Sequence, residues 1–383
     1  MPALGLRMTV LAGRTIPVPL PPAVTARLQS VKMTENDEER SVFTVTFDAG
    51  RSRRGGAVDA PGLRDSPVSV FARVAVVVMF GTRMSVLSDG IVTDIRLTPG
   101  DRPGAATLEV TGEDVSYLLD RVERTAEHPA LADHEQVLKI LTPYQQQGIL
   151  PDVVPPVDLE RPLETERVPT QQGSDLAYLT LLARRHGYVV YVIPGPAPGT
   201  SRLFWGPPVR VGPPQPALSV DLGPDTTFTG LTFHTEALAP AIVTGAVFDA
   251  RTGGPVSVRA HTSERSPLAA LPLWREHPGD IRQRLLRDGS SDAVAARARA
   301  QAEVDRGIDA VVATGAVDGA RYGRVLRPRG LVGVRGAGWS HDGLWYVRQV
   351  VHTLSRGSYR QQVTLAREGL GSTVLTVPSG GVA

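Results

Sequence analysis

Few residues of this 383-residue chain have both the type and the spacing that a chemical mechanism requires. Ser340, His341 and Asp342 are the three residue types of a hydrolase triad, but consecutive residues point in divergent directions, and a triad is assembled from separated positions. A turn between strands is the better interpretation. Glu113 and Asp114 stand at a predicted strand-to-helix junction, where the helix dipole favours carboxylates, so capping is preferred to a glycosidase-like acid pair. The sequence therefore predicts no catalytic residue and a protein that is not an enzyme.

The histidines do not follow a metal-binding pattern. His128 and His134 flank a proline without the HExxH spacing of a zinc site. His186 is better explained by the C-terminal end of a predicted helix, and His352 lies inside a predicted strand, as a core or interface residue. The chain has no cysteine, which excludes disulfides, thiolate nucleophiles and Cys-ligated metals. We expect neither a metal nor a cofactor.

Phosphate-binding signatures are also missing from the sequence. Arg51, Arg53 and Arg54 begin a Gly- and Arg-rich stretch, but no Gly signature with a following helix accompanies them, so a solvated loop is expected. Gly336-Ala337-Gly338 is a GxG fragment without a third glycine or a following helix. Neither segment predicts a nucleotide site.

Composition narrows the partners further. The chain carries 41 basic and 39 acidic residues, a net charge of +2, which argues against a nucleic-acid-binding protein with a broad basic face. Only Lys32 and Lys139 are lysines, which is typical of codon bias in a GC-rich genome. No apolar run is long enough to span a bilayer, and the first residues do not form a signal peptide. We expect a cytoplasmic protein with neither nucleic acid nor membrane as a partner.

The clearest local structure lies between Gln171 and Ile193. Ser174 or Asp175 is placed to cap a helix, and Gly187 is placed to end it in the left-handed conformation. The β-branched and aromatic run Tyr188–Ile193 then predicts a strand. One apolar stripe follows the helix at spacings of three and four: Leu176, Leu179, Leu182, Ala183 and His186.

Two sections of the chain have the alternation of antiparallel strands. In the first, a hairpin joins 24–34 to 41–48 through a polar turn at 35–40, and strands at 68–80 and 107–111 follow. Ser88-Asp89-Gly90 predicts a second hairpin turn, between strands at 82–87 and 91–97. The closing section alternates over 330–335, 344–353 and 359–367.

The intervening chain is mixed. Helices are predicted over 113–127, over 133–141 with Val137, Leu138 and Leu141 inward, and over 291–306. The segments 145–170 and 261–289 are predicted to be irregular, and strands are predicted at 202–205, 226–233, 241–249, 255–260 and 308–314.

These patterns predict an α+β, β-rich fold with two antiparallel β-barrel-like domains and small α+β domains between them. The expected division has five parts, and strands near 226–250 are candidates to complete the first of them. The parts are an N-terminal β-barrel-like domain over 1–112, an α+β domain over 113–222, a mixed strand and helix domain over 223–319, a C-terminal β section over 320–370 and a flexible tail over 371–383.

Three segments, in order, resemble the phage late-control D and baseplate hub family. Phe80–Arg121 has the strand with a G-x-V/I pattern and the v-x-G-x-D passage, and Gly173–Val192 has the helix S/D-x-L-x-x-L-A-x-x-x-G before an aromatic strand. Val334–Arg367 is similar to the closing G-x-G turn and the G-x-Y-x-V-x-x-V-x-H strand, although its last motif, from Tyr359 to Arg367, lacks the usual threonine.

The resemblance implies a homotrimer in which two tail-tube-like domains per subunit form a pseudo-sixfold ring. Such a ring connects a sixfold inner tube to a threefold spike, in a contractile phage tail or a phage-tail-like injection system. The implied partners are a separate spike protein, the inner tube or its initiator and other baseplate components, because this sequence lacks the OB and β-helix parts of spike-bearing members. Two alternatives stay open, a tail-tube initiator or distal-tail protein and, as a minor one, a cell-wall hydrolase, which the lack of a lysozyme-like insert puts in doubt.

Overall fold

The computed structural model describes residues 5–50, 67–102, 105–156, 168–249, 253–287 and 293–374. The loop predicted from Arg51 lies outside these residues. The first β section contains seven strands: β1 Leu6–Gly13, β2 Val18–Pro19, β3 Leu28–Asn36, β4 Val42–Asp48, β5 Arg73–Phe80, β6 Arg83–Thr98 and β7 Thr107–Asp114. The central strands are β8 Glu123–Glu127, β9 Ile149–Val153, β10 Thr170–Ser174, β11 Val189–Pro194 and β12 Ser201–Gly206.

The later strands are β13 Gln215–Ser219, β14 Phe228–Thr235, β15 Ala241–Asp249, β16 Gly254–Ala260, β17 Ala269–Pro272, β18 Arg282–Leu285, β19 Val311–Asp318, β20 Leu331–Arg335, β21 Gly343–Ser355, β22 Ser358–Arg367 and β23 Gly369–Ser372. The helices are α1 Pro22–Thr25, α2 Tyr117–Asp120, α3 Asp133–Leu141, α4 Asp175–Arg185, α5 Leu273–Glu276, α6 Ala293–Gly307 and α7 Gly319–Tyr322. No described helix is both long enough and apolar enough to cross a bilayer.

Both β sections lie in one 13-stranded sheet. Its order is β14-β19-β22-β21-β3-β4-β7-β6-β5-β1-β2, with β20 and β13 branching from β21. Every two neighbouring strands along this path are antiparallel. The predicted α+β, β-rich fold with antiparallel sections is confirmed, and the sections are joined by hydrogen bonds.

Strand β21 joins the two sections. Its first residues, Gly343–Tyr346, pair with β20, and its last residues, Gln349–Ser355, pair with β3 of the N-terminal section. On its other side β21 pairs with β22. One 13-residue strand therefore belongs to both halves of the sheet.

The sheet has two main hydrophobic clusters, one for each β section, and the N-terminal one also includes Leu354 of β21 and Tyr359 of β22. Val31, Phe43, Val45, Val76 and Val110 belong to the N-terminal core. The C-terminal core is a separate cluster that contains Phe228, Val334, Trp345, Val350 and Leu365.

The helix–strand unit has the predicted form. The Ser174 hydroxyl accepts a hydrogen bond from the Ala177 amide at 3.2 Å, and Gly187 ends the helix at a φ of +65°. Leu179 and Leu182 are 0% exposed in a core that also contains Trp205. The strand of this unit, β11, belongs to the sheet β11-β12-β9, which packs against α4. Strand β9 lies inside the segment 145–170 that was expected to be irregular. That expectation was wrong because β9 finds a parallel partner, β12, about fifty residues downstream.

The strands near 226–250 do not complete the N-terminal section. Strand β14 pairs with β19, and β15 pairs with β16 and β18 in a three-stranded sheet that α6 covers. Strands β17 and β18 and helix α5 also lie in the segment 261–289, which was expected to be irregular. The first residues of the predicted flexible tail, 371 and 372, belong to strand β23, which pairs with β17. Residues 375–383 lie outside the described chain. Local alternation identifies a strand but not its partner.

The hairpin predicted at Asp89-Gly90 was wrong. Strand β6 is continuous through this dipeptide, and the turn lies at Gly81, whose φ is +61°. Asp89 is buried because it pairs with Arg73 on β5. A Cβ at Gly90 would lie 2.1 Å from the Glu113 carbonyl oxygen, so the glycine permits a close strand approach instead of a turn.

The helix predicted over 113–127 is mostly absent. Glu113 and Asp114 end β7, α2 is one turn long, and β8 then pairs with β10. The apolar spacing stops at Leu119, and the polar residues of β8 obtain backbone partners from β10. In α3, which has the predicted bounds, Leu138 is exposed where it was expected inward, and Ile140 is buried in its place.

Candidate functional site

The triad residue types form a turn, as the sequence predicts. Asp342 accepts a hydrogen bond from the Ala337 amide at 2.8 Å, and the Ser340 carbonyl accepts one from Arg367. The centre of the His341 ring lies 3.8 Å from the centre of the Phe233 ring. Burial lowers the pKa of His341, and the positive charge of Arg367 lowers it further. These contacts brace the β20–β21 connection.

Glu113 and Asp114 are held by partners that fix the chain path. The two Asp114 oxygens accept from the Ser41 and Ser116 amides at 2.7 and 2.9 Å, and burial raises the pKa of Asp114. Glu113 accepts from Arg40 at 2.8 Å. The pair therefore braces a strand end, although it does not cap a helix as predicted.

A cleft of 620 Å³ lies beside this pair and includes Asp114, Asp120 and Tyr191. Hydrogen bonds from Ser174 and Arg40 lower the pKa of Asp120. Two carboxyl groups with opposite pKa shifts can divide acid and base roles. Here, however, each is engaged with amide, hydroxyl or guanidinium donors of the protein itself.

The histidines that the sequence analysis considered as metal ligands do not form a cluster. His128 is buried against Tyr178 at a ring distance of 5.7 Å, and burial lowers its pKa. His186 lies 2.9 Å from Asp133 and thereby joins α4 to α3. Among the described residues, no three histidines, aspartates or glutamates gather as potential metal ligands.

Sequence reasoning missed the buried ion pairs that connect the modules. Arg73 donates to both oxygens of Asp89 at 2.7 Å and to the Gln147 carbonyl at 2.6 Å, and Ser201 donates to Asp89 at 3.1 Å. Arg73 and Asp89 lie on β5 and β6 of the first β section. Gln147 and Ser201 belong to the α+β unit, which is formed by α3, α4 and the sheet β11-β12-β9. The cluster therefore fastens one to the other.

A second buried cluster lies at the seam between β3 and β21. Arg327 donates to Glu35 at 2.9 and 3.1 Å and to the Leu87 carbonyl at 3.0 Å. His352, which is 0% exposed, lies 3.0 Å from Glu35 and 2.9 Å from the Tyr359 hydroxyl. A neutral ring that donates from Nε2 and accepts at Nδ1 satisfies both partners. Glu35, which was expected in a polar turn, is therefore a buried strand residue.

Two further arginines, Arg210 and Arg329, contact residues that are distant in sequence. Arg210 pairs with Asp309 in a buried site and lies 4.7 Å from the Tyr346 ring. Arg329 lies 3.9 Å from the Tyr191 ring, so it joins the C-terminal section to β11. No local motif identifies such pairs, because Arg327 and Glu35 are separated by 292 residues in sequence.

Lowering the pH from about 7 to about 5 is expected to destabilise the protein through His352. Its ordinary pKa is 6.5, and burial, only partly offset by the hydrogen bond to Glu35, lowers the pKa in the folded state. The unfolded chain then binds more protons below pH 6.5, so the free energy of unfolding falls as the pH falls. The variant His352→Gln removes this titration, and its urea-unfolding free energy should depend less on pH over the same range.

Other titrating groups do not obscure the comparison. His128 and His341, whose pKa values are also lowered, are present in both proteins and cancel. Burial would raise the pKa of Glu35, but Arg327 and His352 outweigh it and the net pKa is lowered, so its contribution is lost only below pH 4.5. Parallel pH profiles for wild type and His352→Gln would contradict a neutral, buried His352.

Two edges of the large sheet are exposed and could bind another chain. The outer side of β14 has no strand partner among the described residues, and β2 covers only Leu11 and Ala12 of β1. Thr232 and Thr235 of β14 are exposed. Unpaired strand edges are templates for pairing with another chain.

Solved structures share this architecture, whereas no protein-family model and no curated protein matches the sequence. A tail protein from Neisseria meningitidis MC58 has a TM-score of 0.63 at 15% identity, covering 96% of this chain and 98% of its own. The 43 kDa tail protein of prophage MuSo2 from Shewanella oneidensis has a TM-score of 0.64 at 14% identity, covering 95% and 99%.

A component of the type VI secretion system of E. coli, described as structurally similar to T4 bacteriophage tail proteins, has a TM-score of 0.53 at 14% identity. The match covers 98% of this chain and 80% of that one. The resemblance to baseplate hubs is thereby confirmed at the level of fold, since these identities carry the fold alone. The chain has the fold of phage tail proteins.

Proposed function

We propose that this protein is the structural central hub of a baseplate, in a contractile phage tail or a phage-tail-like injection system. Three copies form a ring that adapts a sixfold inner tube to a threefold spike, which is a separate protein. The observation that carries the proposal is the match to tail proteins over 96% of this chain and 98% of the Neisseria protein. The protein assembles in the cytoplasm into the particle and acts without catalysis.

The sheet supports this role. Two antiparallel sections joined through β21 give each subunit two β surfaces, as a ring with twice as many positions as subunits requires. We propose that the edges of β14 and β1 pair between subunits, which removes both open edges in a closed ring. The division into 1–112, 113–222, 223–319 and 320–370 is part of the proposal. The first and last parts form the ring together with strands β14 and β19 of the third part.

The oligomeric state tests the proposal. Size-exclusion chromatography with light scattering should give three times the chain mass of 40.9 kDa. The edge variant Thr232→Lys/Thr235→Lys should give monomer, because lysines on an edge strand oppose pairing. The matched control Thr46→Lys lies on β4, which is paired on both sides, and should leave the trimer intact.

Monomer in solution, together with absence of the protein from purified sheathed particles, would overturn the hub assignment. A tail-tube initiator or distal-tail protein of a phage is the second candidate, since it shares the same β-sheet fold. Purified particles distinguish the two by whether the protein copurifies with sheath and spike. The hydrolase alternative predicts peptidoglycan cleavage in a zymogram that is lost in Asp114→Asn, whereas a bracing Asp114 predicts none.

A further inference from the structure

A cleft of 1290 Å³ lies between α4, α6 and β18 and is far more basic than the rest of the chain. Among the described residues, seven arginines and one acidic residue, Glu303, line it, although the whole chain has a net charge of only +2. Arg184 and Arg185 come from the end of α4, β18 and the residues after it contribute three arginines, and α6 contributes two. Distant parts of the sequence thus concentrate one sign of charge in one concave surface.

The lining arginines differ in their partners. Arg284 lies 3.2 Å from Glu303, and Arg185 lies 3.5 Å from Asp133. No described carboxylate lies within ion-pair distance of Arg184 or Arg306, and both side chains are exposed. The concave wall holds guanidinium groups that a ligand can reach.

Apolar side chains lie among the guanidinium groups. Leu285 is 76% exposed and Leu181 is 49% exposed, and both line the cleft. None of the lining residues that the structure describes is aromatic, so this part of the cleft lacks the stacking surfaces with which proteins hold single-stranded nucleic acid. Exposed leucines beside arginines fit a protein chain that carries both carboxylates and apolar side chains.

We propose that this cleft binds an acidic segment of a partner protein in which apolar residues alternate with glutamate or aspartate. The arginines pair with the carboxylates, and Leu181 and Leu285 contact the apolar side chains. This inference goes beyond the hub assignment and does not depend on the trimer.

The test uses the full chain and a fluorescein-labelled peptide of alternating glutamate and leucine, with fluorescence anisotropy as the readout. Binding should weaken as salt increases, because exposed charges are screened. Charge reversal in Arg284→Glu/Arg287→Glu should weaken binding by about tenfold or more. The control Arg14→Glu/Arg259→Glu makes the same charge change at exposed positions outside the cleft and should leave binding unchanged.

The apolar contribution is tested separately. Leu285→Ser should weaken binding of the glutamate–leucine peptide and leave binding of an all-glutamate peptide unchanged. Arg306→Glu on α6 provides a second reversal if the double variant misfolds. The proposal is overturned if the peptide does not bind at low salt, if Leu285→Ser is without effect, or if single-stranded DNA or anionic phosphatidylserine vesicles bind the cleft more tightly than the peptide.

Discussion

Replacing Leu179 or Leu182 by alanine is expected to lower the free energy of unfolding by about 2–5 kcal/mol. Both side chains are fully buried in the core of the α+β unit, where Trp205 donates to the Leu179 carbonyl at 3.1 Å. Alanine removes apolar contacts and leaves a cavity that rigid neighbours cannot fill. Urea unfolding measured by circular dichroism gives the change directly.

Leu181 supplies the matched control on the same helix. It is 49% exposed, so Leu181→Ala removes the same atoms from a site that is about half in water. Its effect should stay within about 0.5 kcal/mol, as for most surface substitutions. If Leu182→Ala were as stable as Leu181→Ala, the assignment of this stripe to the core would be wrong.

Breaking the Arg73–Asp89 pair is expected to cost about 3–5 kcal/mol, because Arg73→Met leaves the buried Asp89 carboxylate without its cation. The variant also loses the bond to the Gln147 carbonyl, so the α+β unit should loosen from the sheet. Urea unfolding gives the free energy, and hydrogen exchange of the β9 and β12 amides reports the loosening.

The double variant Arg73→Met/Asp89→Leu separates the cost of an unpaired buried charge from the cost of lost packing contacts. Replacing both partners by apolar residues removes the uncompensated carboxylate, and such replacements are often neutral. The double variant should therefore be more stable than Arg73→Met. If the double variant were less stable than Arg73→Met, the unpaired Asp89 carboxylate would not be the cause of the instability of Arg73→Met.

Local patterns were most reliable where local forces decide. Ser174 at the helix start, Gly187 at its end and the apolar stripe between them act within a few residues of one another, and all three have the predicted roles. The same holds for alternation in β4 and β22, since pleating places alternate residues on one face wherever the strand pairs.

The failures arise where a distant partner decides. Asp89-Gly90 has the residue types of a hairpin turn, yet Arg73 and the close approach of β7 keep it inside a strand. The helix expected over 113–127 yields to β10, which pairs with β8 across more than forty residues. Glu35 lies in an acidic run typical of a turn, and it is buried because Arg327 and His352 reach it.

By itself the sequence determined the β-rich class and the helix–strand unit, and it predicts no catalytic or metal-ligating residue. The tertiary structure decided that β21 fastens the two β sections, which buried ions hold the modules together, and that seven arginines share one cleft. Periodicity and capping act over single turns and strands, so they can be read locally. Distant strand partners and buried ion pairs join residues that are between sixteen and about three hundred positions apart, and only the folded chain brings them within bonding distance.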